Sequence, residues 1–345
     1  MEKRIVVVLG MHRSGTSAIT RGLQVLDVNL GEELSPAVVN DNDKGYFEDI
    51  DIKNFNVELL TAVHGEWDRF PAVPASVLPE DQLEPYKARA IQLICSKVGE
   101  RPFGLKDPRI SILLPFWQSV FEQAGVGVSY VIAVRNPMNV VRSLKRRNGF
   151  EPEKSYFLWL GHMLPAVLQT RGCRRIAVSY DSMISDPEVQ LSRIARALDL
   201  PFDAQSPAVR SYAGEFLDAT LRHAECDLHD LRGDAAAPAD VITAYEMLLR
   251  LSRDEADAGA PEVEDVFEQL NRRVKEYGQA FTYISCCEEK IAERDRQIAE
   301  RDRQIAERMW QIAERDAAIN AIYASRSWRV TRPLRFLTKC LHKDQ

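Results

Sequence analysis

The chain has 345 residues, which is enough for one large domain with an appendage. Its 45 basic and 51 acidic residues give a net charge of −6, which argues against a protein that coats nucleic acid. No apolar stretch approaches the roughly 20 residues of a membrane span, and the N-terminal apolar run is too short for a signal peptide, so we expect a cytoplasmic protein. The six cysteines show neither CxxC spacing nor a cluster with histidine, so we expect reduced thiols and no metal site.

Short β-branched runs alternate with segments of helical period between residue 5 and about residue 200. The clearest strands are Ile5 to Leu9, Ser129 to Val134 and Arg175 to Val178. This alternation predicts an α/β fold with a central parallel sheet. Residues 36 to 85 are rich in Asn, Asp, Pro and Gly and are expected to form an irregular lobe beside the substrate cleft. Residues from about 200 to 285 indicate helices and loops.

The segment GMHRSGTS follows the first strand and has the glycine spacing of a phosphate-binding loop. Its backbone amides stand at the start of a helix, where they can bind an oxyanion. Thr16 occupies the position in which a nucleoside triphosphatase carries lysine. The loop predicts a P-loop NTPase-like three-layer sandwich with an anion site formed by His12, Arg13, Ser14, Gly15, Thr16 and Ser17.

A second candidate anion site begins in the segment YVIAVRNPMNVVRSLKRR. Arg135 closes an apolar strand, and Asn136 can cap the helix that follows. Ser143 and Arg147 share one face of that helix because they are four residues apart. These side chains could converge with Arg135 on one doubly charged group, although a solvated basic helix face is the alternative.

Two further segments carry charged candidates. FGLKDPRI places Lys106 and Asp107 directly before a proline, and NDNDKGYFEDIDI places Glu48 after two aromatic residues. Aromatic neighbours can desolvate a carboxylate, as a general base working near neutral pH requires. From spacing alone, an ordinary surface carboxylate remains the alternative for Glu48.

Together these motifs resemble the sulfotransferases that use 3′-phosphoadenosine 5′-phosphosulfate (PAPS) as donor, and the resemblance covers about residues 4 to 203. It implies that PAPS is the co-substrate, that PAP (3′-phosphoadenosine 5′-phosphate) is the product and that no metal is required. It also implies that GMHRSGTS cradles the 5′-phosphosulfate and that Arg135 and Ser143 bind the 3′-phosphate. Arg147 matches a residue of the tyrosylprotein branch.

The tyrosylprotein branch is also similar in its lysine at the KDP segment and in a glutamate base after the first helix. The resemblance assigns these catalytic roles to Lys106 and Glu48, with Arg13 stabilising the charge on the sulfuryl group. Tyr180, in SYDSMISDPEVQLSRIARALDLPF, is implied to approach the nucleotide.

The chain departs from the cytosolic steroid and phenol branch, because it lacks that branch's Lys-Thr-His and C-terminal Arg-Lys-Gly motifs. Arg222 and His223 in FLDATLRHAE offer a substitute cap over the nucleotide. The ending SRSWRVTRPLR is similar to the tails of bacterial proteins that modify surface polysaccharide. This similarity suggests a bacterial protein with a carbohydrate acceptor.

A seven-residue repeat begins near Cys287, with IAERDRQ at Ile291 and Ile298 and degenerate copies at Ile305 and Ile312. Charged residues occupy half of the expected hydrophobic seam, so both a solvated single helix and a coiled coil remain open. The basic and aromatic tail can contact an anionic membrane at its inner face, dock on a partner or serve as a disordered solubilising end. We therefore predict a sulfotransferase domain over 1–285, with a core of about 4–203 and a helical remainder over 204–285, followed by a heptad helix over 286–322 and a tail over 323–345.

Two other functions are compatible with the motifs. A P-loop kinase for a small metabolite would use Asp181 in RRIAVSYD to hold magnesium. A non-catalytic nucleotide-binding scaffold would organise polysaccharide enzymes through the heptad helix and the tail. For the sulfotransferase, the expected partner is an acceptor hydroxyl substrate of the carbohydrate class, and no nucleic acid is expected. The C-terminal region can also contact a membrane peripherally or mediate self-association through its helix.

Overall fold

This computed structural model describes residues 3–38, 41–42, 44–63, 65–69, 80–217 and 226–335. The predicted cap residues Arg222 and His223 and the last ten residues of the basic tail lie outside these ranges. The chain divides into two units, Met1–Thr282 and Tyr283–Gln345.

The first unit is built on a parallel sheet of four strands in the order β2-β1-β3-β4. The strands are β1 (Arg4–Leu9), β2 (Phe103–Lys106), β3 (Gly127–Val134) and β4 (Arg174–Ser179). The three strands expected from the sequence are confirmed, whereas the four residues of β2 are too short to stand out as an apolar run. Since the chain leaves β1 toward β2 on one side and leaves β3 toward β4 on the other, the topological switch point lies between β1 and β3, where ligands bind in such sheets.

Apolar side chains cover both faces of the sheet. Ile5, Val7 and Leu9 belong to one buried cluster, while Val6 and Val8 belong to a second cluster on the opposite face. Successive side chains of a strand point to opposite faces, so a strand that is apolar at every position must be covered on both sides. The α/β fold and its three-layer arrangement are therefore confirmed.

Among the described residues, eight helices contribute to the first cluster and four to the second. The larger set contains α2 (Ile50–Ala62), α3 (Glu80–Lys97), α4 (Leu114–Gln123), α5 (Pro137–Asn148), α6 (Pro152–Leu168), α10 (Leu228–Gly233), α11 (Ala239–Ser252) and α12 (Pro261–Glu276). The smaller set contains α1 (Thr16–Val25), α7 (Tyr180–Ser185), α8 (Pro187–Leu198) and α9 (Pro207–Ser211), which is followed by a π-helical turn at Tyr212–Phe216.

The prediction of an irregular lobe over 36 to 85 is wrong where α2 forms. The Asp49 side chain caps this helix by accepting from the Ile52 amide at 3.1 Å. Phe55 and Leu59 are buried on the face that α2 turns to the core. The helix forms because an N-cap and an apolar stripe outweigh the Asn- and Asp-rich composition.

Helix α13 spans Gly278–Ala324, and the second unit contains its residues from Tyr283 onward. The short helix α14 (Arg326–Val330) also belongs to the second unit. None of the described residues of α13 is buried. Within the part of the chain that the structure describes, no helix is long and apolar enough to cross a membrane.

Candidate active site

Three residues of the loop after β1, two glycines and one arginine, have backbone conformations with positive φ angles. Gly10 and Gly15 have φ angles of 148° and 80°, and Arg13 has a φ of 68°. The Gly10 amide donates to Ser111 Oγ at 2.9 Å, which ties the loop to the 3-10 turn after β2. Because α1 begins at Thr16, the amides of its first turn have no acceptor inside the helix. They form an anion cradle at the positive end of the helix dipole.

Gly15, Tyr180 and Arg135 form a stack beside this cradle. A Cβ atom on Gly15 would lie only 2.0 Å from Cδ2 of the Tyr180 ring, so this close approach requires glycine. The Arg135 guanidinium lies 4.4 Å from the centroid of the same ring, within the range of a cation–π contact. Its Nη1 donates to the Arg13 carbonyl at 2.7 Å, which joins the end of β3 to the loop.

Arg135 carries an unsatisfied donor. Its Nε atom is buried and has no hydrogen-bond partner among the described residues. Burial lowers the pKa of Arg135, since removal from water disfavours the charged form. A bound anion would both satisfy the donor and offset this cost.

Asp41 lies beside Arg13 and Arg147, the two other arginines that were predicted to bind anions. Its Oδ1 lies 2.8 Å from Arg13 Nη1 and its Oδ2 lies 3.6 Å from Arg147 Nε. Arg13 Nε also donates to Ser143 Oγ at 2.8 Å, and the Tyr46 hydroxyl donates to Asp41 Oδ2 at 2.5 Å. Burial and the hydrogen bond to Asp41 together raise the pKa of Tyr46 to about 12, which keeps the phenol protonated. Sequence reasoning missed Asp41 and Tyr46, although both lie in the segment that supplied Glu48.

The two residues predicted to act on the reacting groups form an ion pair. Lys106 Nζ and Glu48 Oε1 lie 2.7 Å apart, and the two residues are only 3% and 6% exposed. The ammonium also donates to the Tyr46 carbonyl at 3.0 Å and lies 3.4 Å from Ser17 Oγ. The parallel register pairs Lys106 with Val8, so β2 delivers the lysine to the loop after β1. A carboxylate there can accept a proton and an ammonium can stabilise developing negative charge.

Asp107 braces the site rather than facing a substrate. Its carboxylate accepts from the Arg109 amide and guanidinium, each at 3.0 Å, and from Asn56 Nδ2 at 2.9 Å. Asn56 in turn accepts from Trp117 Nε1 at 2.9 Å. These bonds fix the 3-10 turn that directly follows Lys106, and they occupy the carboxylate that could otherwise serve as a base.

His12 belongs to the same loop and is buried. Its ring centroid is 4.2 Å from that of Trp67 and 6.1 Å from that of His162. Burial, reinforced by the positive charge of Arg109, lowers the pKa of His12 well below its usual value. The imidazole is therefore neutral near pH 7, and its Nε2 has no partner in the described ranges.

The loop after β1, the end of β2 and the segment after β3 line one cavity of about 880 Å3, which lies at the carboxyl ends of these strands. Every predicted site residue except Ser14, whose side chain is fully buried, lines it. Sequence reasoning selected none of the other lining residues as site residues, among them Asp41, Tyr46, Asn139 and Phe216.

Asp181 does not join this cavity. It lines a separate cavity of about 660 Å3 together with Ser179 and Asp227. A kinase would need its magnesium-binding aspartate beside the phosphate loop, so the position of Asp181 disfavours that function. No cluster of His, Cys, Asp and Glu in the described ranges has the arrangement of a metal site.

Comparisons with known proteins found one family model and several solved structures that are similar to this chain. A model of the sulfotransferase family matches residues 6–204. Among solved structures, the chain is similar to the sulfotransferase domain of the Synechococcus PCC 7002 olefin synthase, with 17% identity, coverage of 74% of this chain and 96% of that one, and a TM-score of 0.40. It is also similar to the sulfotransferase domain from the curacin biosynthetic pathway, with 16% identity and a TM-score of 0.37. This match covers 78% of this chain and 98% of that domain.

No curated protein matches the chain. The structural similarities are too low to support an assignment by themselves. The family model, however, spans residues 6–204, which is more than half of the 345-residue chain. The chain therefore belongs to the sulfotransferase family.

Proposed function

We propose that this protein transfers the sulfuryl group of PAPS to a hydroxyl of a carbohydrate or cell-surface glycan. The observation that carries the proposal is the convergence of three strand ends on one cavity. The loop after β1 supplies an anion cradle, β2 supplies Lys106, and the turn after β3 supplies Arg135.

The site has the donors that PAPS needs. The first-turn amides of α1, with Thr16 and Ser17, would hold the phosphosulfate. The unsatisfied Nε of Arg135 and the Ser143 hydroxyl would hold the 3′-phosphate, which ATP lacks. When bound, PAPS supplies a sulfuryl group attached to a phosphate leaving group.

Glu48 and Lys106 supply the chemistry from the protein side. The Glu48 carboxylate would take the proton of the acceptor hydroxyl, an effect worth about 10²- to 10⁴-fold. Lys106, held between Glu48 and the Tyr46 carbonyl, would stabilise the negative charge that builds up on the leaving oxygen. Alignment of both partners in the cavity would supply most of the remaining acceleration.

The acceptor class and the location rest on sequence features. The ending SRSWRVTRPLR is similar to the tails of bacterial proteins that modify surface polysaccharide, and this similarity favours a carbohydrate. We predict a cytoplasmic protein whose basic tail can contact the inner face of the membrane. A scaffold with a degenerate site is less consistent with the structure, because both candidate catalytic residues are present and paired.

Calorimetric titration with PAP in EDTA and, separately, with ATP and magnesium tests the donor assignment. We expect PAP to bind, and we expect Arg135→Ala to weaken it by about 10- to 100-fold, the value of charge-assisted hydrogen bonds to a phosphate. Arg174→Ala, at the opposite end of the neighbouring strand, is the matched control and should leave PAP affinity unchanged. Binding of ATP with magnesium but not of PAP would contradict the proposal and favour a kinase.

A further inference from the structure

The long helix α13 exposes an apolar side chain at every seventh residue. Six isoleucines follow this spacing without a break, and they are between 46% and 58% exposed: Ile284, Ile291, Ile298, Ile305, Ile312 and Ile319. Nothing in the described part of the helix buries them. Isoleucines scattered on a surface need no explanation, but a strict period does.

The period itself indicates a supercoil. Seven residues fall about 20° short of two turns of an ordinary α-helix, so six residues with this spacing drift by about 100° around a straight helix. They form one continuous seam only if the helix winds in a left-handed supercoil around a partner. The spacing is therefore matched to a second helix and not to a helix alone in water.

We propose that α13 pairs with α13 of a second copy of this chain, in parallel and in register. The heptad positions are a for the six isoleucines, d for the third residue after each and e for the fourth. In this register each isoleucine packs against its own counterpart. In an antiparallel pair each isoleucine would instead face a d position, which is an arginine in four of the six heptads.

Charge complementarity supports a second copy as the partner. In the repeat IAERDRQ the d residue is Arg294 and the e residue is Asp295, and the next heptad repeats this pair as Arg301 and Asp302. In a parallel pair Arg294 and Arg301 each lie opposite the same arginine of the other helix and beside its e aspartate, and the aspartates offset the repulsion between the facing arginines. Each IAERDRQ unit also has two acidic and two basic residues, so the copies do not repel each other.

The charges of the outer face are paired within the helix itself. Glu293 and Arg296 lie 2.7 Å apart, and Glu300 and Arg303 lie 2.9 Å apart. These residues occupy positions c and f, away from the seam. The seam from Ile284 to Ile319 is about 54 Å long, and pairing along it would bury on the order of 1,000 Å2, at the lower end for a specific interface.

The register makes a specific prediction for two adjacent cysteines. Cys287 is at position d, so it faces Cys287 of the second copy in a parallel pair, whereas Cys286 is at position c and points away. In an antiparallel pair Cys287 would lie at the opposite end of the seam from its counterpart.

Sedimentation velocity of the full chain over a dilution series tests the pairing. We expect a dimer that Ile298→Lys with Ile305→Lys converts to a monomer. Ala299→Lys with Ala306→Lys is the matched control, because it places the same charges one residue away on the exposed b position, and it should leave the dimer intact. Circular dichroism checks that both variants keep the helix. A chain that stays monomeric at every concentration, or seam variants that stay dimeric, would overturn the proposal.

Mild oxidation tests the orientation in a background with Cys95, Cys173 and Cys340 replaced by serine. We expect Cys286→Ser to retain a disulfide-linked dimer on a non-reducing gel and Cys287→Ser to lose most of it. A dimer by sedimentation that does not crosslink through Cys287 would overturn the parallel register. PAP binding by the monomeric seam variant separates this test from the proposed function, since the two are independent.

Discussion

Gly15→Ala should damage the site far more than the same change at another left-handed glycine. Gly15 has a φ of 80°, and its added Cβ would lie within 2.8 Å of three atoms of the Tyr180 ring. The left-handed backbone costs an alanine about 1–2 kcal/mol. Displacement of a buried ring adds about 1–3 kcal/mol, so we expect the free energy of unfolding to fall by about 2–5 kcal/mol.

Gly149 is the matched control for this change. It has a φ of 73°, and no heavy atom lies within 4 Å of the position that its Cβ would take. Gly149→Ala should therefore cost only the backbone term of about 1–2 kcal/mol. Urea denaturation of both variants, followed by tryptophan fluorescence, measures the difference that belongs to the ring.

Ligand affinity gives a second readout for the same pair of variants. Tyr180 carries the Arg135 guanidinium at 4.4 Å from its ring centroid, so Gly15→Ala should also displace Arg135 and weaken PAP binding. Gly149 lies outside the cavity lining, and its alanine variant should bind PAP normally. Equal unfolding free energies and equal PAP affinities for the two variants would refute the stack of Gly15, Tyr180 and Arg135.

Two further predictions concern buried charges. Lys106→Met leaves Glu48 buried without its counter-ion, so urea denaturation should show that the free energy of unfolding falls by about 3–5 kcal/mol. The double variant Lys106→Met with Glu48→Leu removes the buried charge as well and should recover most of this loss. A double variant as unstable as the single one would contradict this reasoning. Burial lowers the pKa of His162 to about 4. Between its unfolded pKa near 6.5 and this value, only the unfolded state binds the proton, so stability is lost as pH falls, by about 1.4 kcal/mol per pH unit. Because buried His12 contributes in the same direction, His162→Gln should reduce the slope by this amount between about pH 6.5 and pH 5 without abolishing it, whereas parallel curves for both proteins would show that His162 does not titrate this way.

Local patterns in the sequence predicted the parts of the fold that local patterns can determine. The β-branched run ending at Leu9 and the glycine spacing around Gly15 identified the first strand, the loop and the helix after it. The motif KDP identified Lys106 as a candidate, but the strand that carries Lys106 was not predicted, because β2 has only four residues. The helix after Asp49 was missed because composition was weighed above its capping residue and apolar stripe.

Contacts between distant segments could not be predicted from the sequence. Asp41 pairs with Arg13, and Arg13 bonds to Ser143, which is 130 residues further along the chain. Spacing along one helix places Ser143 on a face but does not show which loop packs against it. Only the crossing from β1 to β3 in the sheet brings these groups together.

The most direct test of the central claim is a sulfuryl-transfer assay with radiolabelled PAPS in EDTA. Wild-type protein is incubated with cell-surface glycan, lipid and protein fractions, and Glu48→Gln is compared at equal PAPS occupancy. We predict label in the glycan fraction, and we predict that Glu48→Gln loses about 10²- to 10⁴-fold of the rate while PAP affinity stays near normal. No label in any fraction, or full activity of Glu48→Gln, would contradict the account.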